Sequence, residues 1–152
     1  MSLETTAPLD SLLRSVPEDF RALTAEEATQ PRAPGKWSRL QILGHLCDSA
    51  VNNLARFVKG ASLAPGPLPI EPYDQEAWVA VQRYGEAASV EEVLALWSAL
   101  NGSVVRVVQG LSNDQLARPC RLPDGTIVAL GWLFEDYVDH LKHHLRQIFG
   151  DR

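Results

Sequence analysis

The sequence predicts an all-α protein folded as a four-helix bundle. Four separated segments carry apolar residues at three- and four-residue steps, the spacing of one face of an amphipathic helix. Short Ser- or Thr-headed motifs of the kind that cap helix N-termini precede two of these segments. A passage of about 28 residues separates the second long helix from the third, far more than a bundle hairpin needs.

Length and charge restrict the architecture and the partners. A chain of 152 residues predicts a single domain, 1–152, able to bury roughly 70% of its unfolded surface. The net charge is −5 and no basic run occurs, which argues against nucleic acid or an anionic membrane surface as a partner. No apolar run approaches the roughly 18 residues of a membrane span, and residues 1–6 lack the pattern of a signal peptide, so we expect a cytoplasmic protein.

The first long helix is predicted despite Pro17, which would bend it. Its apolar stripe consists of Leu9, Leu12, Leu13, Val16, Phe20 and Leu23. Thr24 and Glu27 form a capping box for a short extra turn, and the Pro- and Gly-containing segment 30–36 is predicted to be a loop.

A second long helix is predicted to begin at Ser38 or Arg39, because Ser38 and Gln41 form another capping box. Its core stripe is Leu43, Leu46, Ala50, Leu54, Phe57 and Val58. Ser49 and Asn53 lie on or beside that stripe. Since polar groups that face a core require partners, we expect these two side chains to line a polar cavity.

The crossover that follows is rich in proline and glycine. Residues 61–72 are predicted to lack regular structure, and Asp74 is predicted to cap a short helix that ends near Gly85. The passage is long enough to cross the bundle, which would allow the second and third long helices to run parallel rather than antiparallel.

The remaining elements complete the bundle. A capping box of Ser89 and Glu92 opens the third long helix, with the stripe Val90, Val93, Trp97, Leu100, Val104, Val107 and Val108. A further box at Ser112 opens a short turn, and residues 118–122 and 126–130 are predicted to form a small β-hairpin around Pro-Asp-Gly. The last helix is predicted from about Ala129 to Phe149, with the stripe Leu130, Phe134, Tyr137, Val138, Leu141, Leu145 and Ile148.

Three of the four histidines can meet at one point. Residues four apart lie on the same helix face, so His140 and His144 both flank the apolar stripe of the last helix, whereas His143 faces solvent. Trp37 precedes His45 by eight residues and Trp132 precedes His140 by eight, as in a diverged repeat. This spacing places His45 beside the apolar stripe of the second long helix, as His140 lies beside the stripe of the last helix.

Three imidazoles of this kind form a candidate metal site. No cysteine, aspartate or glutamate is spaced to complete the ligand set, so at least one coordination position would be left for water, as in catalytic metal sites. Neutral nitrogen ligands suit Zn²⁺, Ni²⁺ or Fe²⁺. The competing interpretation is that these histidines are surface or core-edge residues without a metal.

Two aspartates are candidates to orient the imidazoles. Asp48 follows His45 by one helical turn, and Asp136 precedes His140 by one turn. The competing interpretation places both on a solvated helix face. The two cysteines, Cys47 and Cys120, are read as buried thiols rather than a disulfide, and Cys47 lies across the apolar stripe from His45.

Three motifs together resemble the DinB-like superfamily, and within it the YfiT-type branch of metal-dependent hydrolases. They are the segment from Trp37 to Ser49, the segment Pro72-Tyr73-Asp74-Gln75-Glu76-Ala77-Trp78, and Asp139 to His144. The resemblance implies an up-down-down-up bundle, a divalent metal, Zn²⁺ or Ni²⁺, on His45, His140 and His144, and a homodimer. Relatives include S-transferases and isomerases that use low-molecular-weight thiols.

The leading hypothesis is therefore a metal-dependent enzyme that activates water or a small thiol for attack on a small electrophilic substrate. The alternative is a bundle without catalytic activity that dimerises or binds a partner and uses the metal only as a brace.

Overall fold

The computed structural model describes residues 5–62 and 65–150. Within these residues the chain forms seven helices and three short strands. In chain order they are α1 (Ala7–Arg21), α2 (Ala25–Thr29), α3 (Arg39–Ser62), β1 (Leu68–Pro69), α4 (Gln75–Gln82), α5 (Val90–Gln109), α6 (Asn113–Leu116), β2 (Pro119–Arg121), β3 (Ile127–Ala129) and α7 (Leu130–Phe149). The four long helices are α1, α3, α5 and α7.

Contacts between helix ends give the directions of the bundle. Arg21, at the end of α1, forms an ion pair with Glu91 at the start of α5, with 3.0 Å between Nε and Oε1. Arg39, at the start of α3, donates from Nε to the carbonyl oxygen of Ile148 at the end of α7, at 2.8 Å. The pairs α1/α5 and α3/α7 are therefore antiparallel.

Two further contacts fix the remaining directions. The rings of Phe20 and Phe149, each near the C-terminal end of its helix, meet edge to face at 6.2 Å, so α1 and α7 run parallel. The Cys47 thiol lies 3.7 Å from the carbonyl oxygen of Val93, and both residues lie in the N-terminal halves of their helices, so α3 and α5 run parallel. The predicted up-down-down-up bundle is confirmed.

The interior follows the predicted stripes closely. The apolar residues predicted for the core face of the last helix are all buried: Leu130, Phe134, Tyr137, Val138, Leu141, Leu145 and Ile148. On α3 the prediction is wrong for Val58, which is 47% exposed. Both cysteines are buried and free, as predicted. None of the described helices is long and apolar enough to cross a membrane.

Capping residues define most helix starts. Reciprocal capping boxes form at Thr24 and Ser112, and at Ser38 the same two bonds link that residue to its partner three positions on. The box predicted at Ser89 is only half formed. The Ser89 hydroxyl accepts from the amide of Glu92 at 3.1 Å, and the structure records no return bond.

The crossover contains more structure than predicted. Helix α3 continues to Ser62, and β1 pairs in parallel with β2, which also pairs antiparallel with β3 in the predicted hairpin. The prediction that 61–72 lacks regular structure is therefore wrong at Ala61, Ser62 and β1; residues 63–64 lie outside the described part. Pro69 is tolerated because β1 is an edge strand.

The crossover then returns to α3 and packs closely against it. Helix α4 ends at Gln82 rather than near Gly85, because Arg83 adopts a left-handed conformation with φ of 57°. The next residue, Tyr84, is buried with its ring against Gly44, where an added Cβ would lie 2.2 Å from a ring carbon. Only glycine permits this approach, and it occurs immediately before His45.

Candidate metal centre

The three predicted histidines lie together at the end of the bundle where α3 begins and α7 ends. One ring nitrogen of each lies within 4.8 Å of the others. The ring of His45 is 5.4 Å from that of His140 and 4.7 Å from that of His144, measured between centroids. His143 is exposed on the outer side of α7, as predicted. Helix geometry and antiparallel packing therefore bring one histidine of α3 to two of α7.

The tautomer of His144 is fixed by a neighbour on the same helix. Its Nδ1 lies 2.8 Å from the side-chain oxygen of Gln147, and that oxygen can only accept a hydrogen bond. Nδ1 therefore carries the proton, and the lone pair of Nε2 points toward His140. Orientation of a ligand imidazole through its second nitrogen is typical of metal sites in proteins. Sequence reasoning missed Gln147, although its spacing of three residues from His144 was a usable signal.

The nitrogens are spaced as one small cation requires. Nε2 of His144 lies 3.1 Å from Nε2 of His140. Two nitrogens bound to a single tetrahedral Zn²⁺ at about 2.0–2.1 Å would be about 3.3 Å apart. The two histidines of α7 could thus share one ion with little movement of either ring.

His45 gives independent evidence for a missing partner. Its side chain is fully buried, and both ring nitrogens lack a hydrogen-bond partner among the described residues. Buried polar groups in folded proteins are almost always paired, and an exception commonly marks a place for an ion, a water molecule or a catalytic role. The donor set and this unpaired imidazole together fit a divalent cation.

Burial keeps the imidazoles in the form that binds metals. It lowers the pKa of His45 to about 4, and the neighbouring His144 and His140 add to the effect. Burial also lowers the pKa of His140 to about 4, and it lowers the pKa of His144. All three rings are therefore neutral at pH 7, with lone pairs available for a cation.

The loop before α3 covers one side of the cluster. The Trp37 ring lies 5.1 Å from the His45 ring, measured between centroids. The backbone carbonyl oxygen of Trp37 accepts a hydrogen bond from Nε of Arg32 at 3.1 Å. Trp132 has the same spacing to His140 as Trp37 has to His45, but it is 44% exposed. The two tryptophans of the diverged repeat therefore match in spacing and not in burial. Arg32 was missed in the sequence because it lies in a loop, where helical spacing gives no information.

The two candidate aspartates have different surroundings. Asp48 is fully buried, and its Oδ1 accepts from the Tyr84 hydroxyl at 2.7 Å and from Nε2 of Gln82 at 3.1 Å. Asp136 is exposed and makes no hydrogen bond with a described residue. Neither carboxylate is hydrogen-bonded to an imidazole, so their role in orienting the histidines stays a prediction.

Ser49 and Asn53 form a buried polar pair one and two turns beyond His45. Nδ2 of Asn53 donates to the backbone oxygen of Ser49 at 2.8 Å, and its amide oxygen accepts from Arg56 at 3.4 Å. Burial raises the pKa of Tyr73, and a hydrogen bond with Ser49 opposes this rise. The crossover thus places the Tyr73 side chain next to the pair formed by Ser49 and Asn53.

Comparison with known proteins identifies the family. A family model described as the DinB superfamily matches residues 9–148. The chain belongs to the DinB superfamily.

The relatives of this DinB-superfamily chain extend over most of its length. YfiT of Bacillus subtilis, whose name proposes a metal-dependent hydrolase, is 28% identical over 141 residues, which cover 92% of this chain and 78% of that protein. A protein of Oceanobacillus iheyensis with the same description is 28% identical over 140 residues, covering 92% of this chain and 79% of its own.

Solved structures give the same result for the fold. The YfiT structure, described as having an unusual four-helix bundle topology, superposes with a TM-score of 0.82 at 26% identity, covering 95% of this chain and 82% of that one. A mycothiol-dependent maleylpyruvate isomerase superposes with a TM-score of 0.72 at 13% identity, covering 95% of this chain and 60% of that one. At that identity the isomerase supports the fold alone.

Proposed function

We propose that this protein is a metal-dependent enzyme in which His45, His140 and His144 hold one divalent cation, Zn²⁺ or Ni²⁺. Its activity would be hydrolysis of, or transfer to, a small electrophilic substrate. The observation that carries the proposal is the fully buried His45, whose two ring nitrogens have no partner among the described residues yet face two further imidazoles.

The ligand set supports a catalytic rather than a purely structural ion. Structural zinc sites in proteins are closed by four protein ligands, whereas catalytic sites have three and keep a position open. The described residues offer three imidazoles within reach of one another and no fourth Cys, Asp or Glu in the same group. A cation bound there would lower the pKa of a water molecule or a small thiol and so supply a nucleophile near pH 7.

The protein's own residues prepare the site for that chemistry. The side-chain oxygen of Gln147 accepts a hydrogen bond from Nδ1–H of His144 and so leaves the lone pair of Nε2 free for the ion. The Trp37 ring covers His45 and shields its imidazole from solvent. Ser49 and Asn53, with their linked side chains, provide polar groups one and two turns deeper, where we propose that the substrate lies.

Water and a small thiol are both retained as nucleophiles. The name of the relative YfiT favours hydrolysis, since it proposes a metal-dependent hydrolase. The thiol is retained because the sequence motifs resemble a superfamily that includes thiol-dependent S-transferases. A turnover panel of small electrophiles, run with and without added low-molecular-weight thiols, distinguishes the two. The homodimer stays a prediction for size measurements in solution.

The metal content of purified protein tests the proposal. We expect about one divalent metal ion per chain in the wild type, and its loss in His144→Ala, because two imidazoles cannot replace three. His143→Ala is the matched control, since His143 occupies the next position on α7 but is exposed. Full metal occupancy in His144→Ala would contradict the proposed site.

The competing function, a metal that only braces the bundle, makes a different prediction. A brace would have no exchangeable water, and its removal would strongly lower the free energy of unfolding. An enzyme's ion would admit an added anion or thiol to its coordination sphere. Spectroscopy of the Co²⁺-substituted protein separates the two, because ligand entry changes the cobalt absorption.

A further inference from the structure

The candidate metal centre has no negative charge of its own. Its three ligands are neutral imidazoles, so a divalent cation would keep its full double charge. Asp136 and Asp139, the aspartates of α7 that precede His140, are exposed, and the buried Asp48 is hydrogen-bonded to Tyr84 and Gln82 rather than to an imidazole. This contrasts with the chain as a whole, whose net charge is −5.

One arginine adds positive charge at the same place. Arg32 is fastened to the loop before α3 by the hydrogen bond from its Nε to the carbonyl oxygen of Trp37, the residue whose ring covers His45. Its positive charge also contributes to the lowered pKa of His144, so the guanidinium lies within electrostatic range of that imidazole.

The loop holds this arginine in place while leaving its outer end available. Pro31 pairs with Ser38 in an isolated β-bridge, and the amide of Lys36 donates to the carbonyl oxygen of Ala33 at 3.0 Å, so the loop is closed and internally bonded. The two terminal guanidinium nitrogens of Arg32 have no partner among the described residues. Such a group is suited to a carboxylate, which accepts two parallel hydrogen bonds from arginine.

We propose that Arg32 binds an anionic group, a carboxylate in the simplest case, on the molecule whose other end enters the open coordination position of the metal. This inference rests on the proposed function and adds its substrate class: a small anionic ligand bound at two points. Arg32 is then a specificity-determining residue, since a neutral ligand would lose one of the two attachments.

Two matched thiols serve as probes with the Co²⁺-loaded protein. One is 3-mercaptopropionate, which carries a carboxylate, and the other is 3-mercaptopropionamide, its neutral analogue. Thiolate binding is followed through the sulfur-to-cobalt charge-transfer absorption. We expect the carboxylate thiol to bind about tenfold more tightly than the amide, the factor given by one charge-assisted hydrogen bond.

Three variants locate the source of that preference. Arg32→Gln should remove it without changing the Co²⁺ content. Arg32→Lys retains the charge but loses the bond to Trp37, so we expect it to retain part of the preference. Lys36→Gln removes an equal charge from an exposed position in the same loop and should keep the full preference.

The outcomes are distinguishable from failure of the metal site itself. Equal affinity for the two thiols in the wild type, or an equal loss of preference in Lys36→Gln and Arg32→Gln, would overturn the role of Arg32 while leaving the metal site intact. Absence of Co²⁺ binding would contradict the proposed function, and this inference with it. Co²⁺ binding without thiolate absorption from either thiol would overturn this inference alone, because water would remain as the nucleophile.

Discussion

His45 and Asp48 lie one turn apart on α3, and both are fully buried, yet their polar atoms are used in opposite ways. Asp48 accepts hydrogen bonds from Tyr84 and Gln82, so it fastens the crossover to the bundle. Both ring nitrogens of His45 are unpaired. Two buried polar side chains on the same helix can therefore differ in role: one stabilises the fold, and the other is available to an external ligand. The hydrogen-bond partners in the structure distinguish the two roles.

The division is not complete, because Oδ2 of Asp48 also lacks a partner among the described residues. Burial raises the pKa of this carboxyl, while the bonds from Tyr84 and Gln82 oppose the rise. A proton on the carboxyl would reduce the cost of burying it. The comparison between these two residues can be tested by changing each of them in turn.

The largest effect is expected for His45→Ala. Because this residue would supply one of the three proposed ligands, we expect the affinity for Zn²⁺ to fall by more than about 100-fold. Competition with a chromophoric chelator measures the affinity. His143→Ala, which removes an exposed imidazole of α7, is the control and should bind Zn²⁺ as the wild type does. Wild-type affinity in His45→Ala would remove the contrast between the two residues.

Asp48→Ala should show the opposite profile. It leaves the buried Tyr84 hydroxyl without an acceptor and also removes the partner of the exposed Gln82 amide, which we expect to lower the free energy of unfolding by about 2–4 kcal/mol. Urea denaturation of the metal-free protein measures this change. The isosteric Asp48→Asn keeps an acceptor and should lower the free energy of unfolding by less. A stability loss confined to the metal-loaded form would place Asp48 in the metal site instead.

The stability of the metal-free protein should fall as the pH is lowered from about 6.5 toward 4. The pKa of His45 is about 4 in the folded protein and about 6.5 in the unfolded chain, so only the unfolded chain takes up protons in this range. The loss at pH 4 should be of the order of 3 kcal/mol for His45 alone. Urea titrations at several pH values with a chelator present measure it.

Asp48 should contribute to this pH dependence with the opposite sign. Its pKa is raised in the folded protein, so the folded state gains a proton before the unfolded chain does as the pH falls. Asp48→Asn removes that opposing contribution and should make the loss toward acid pH steeper. Equal stability at pH 7 and pH 5 in the wild type would contradict the lowered histidine pKa values.

The smallest effect is expected for Gln147→Ala. Removing the acceptor that orients His144 should weaken Zn²⁺ binding by about tenfold, at the low end for groups that support a metal ligand. Gln147→Glu keeps an acceptor at the same distance and should retain most of the affinity. An unchanged Zn²⁺ affinity in Gln147→Ala would show that the position of His144 is set by packing alone.

Much of the fold could be predicted because its signals are local. Helix periodicity and the capping residues Thr24, Ser38, Asp74 and Ser112 determine where helices begin, and each depends on residues only a few positions apart. The three histidines could be proposed for a similar reason, since two share a helix face and the third lies beside an equivalent apolar stripe.

The missed features depend on contacts between distant parts of the chain. The bond from Tyr84 to Asp48 joins residues 36 positions apart, and β1 forms only because β2 lies beside it. Arg32 acts from a loop, where neither period two nor period 3.6 applies. Trp37 and Trp132 have equal spacing to a histidine but different exposure, because the loop before α3 folds over the cluster.

The separation of the histidines along the chain also bears on protein synthesis. His45 leaves the ribosome roughly a hundred residues before His144, and a chain emerges at about 5–20 residues per second. During those seconds α3 has neither α7 nor the partner imidazoles of its metal site. An ion at the proposed site could therefore be bound tightly only after α7 has emerged and docked, which would make metal loading a late event in the maturation of each molecule.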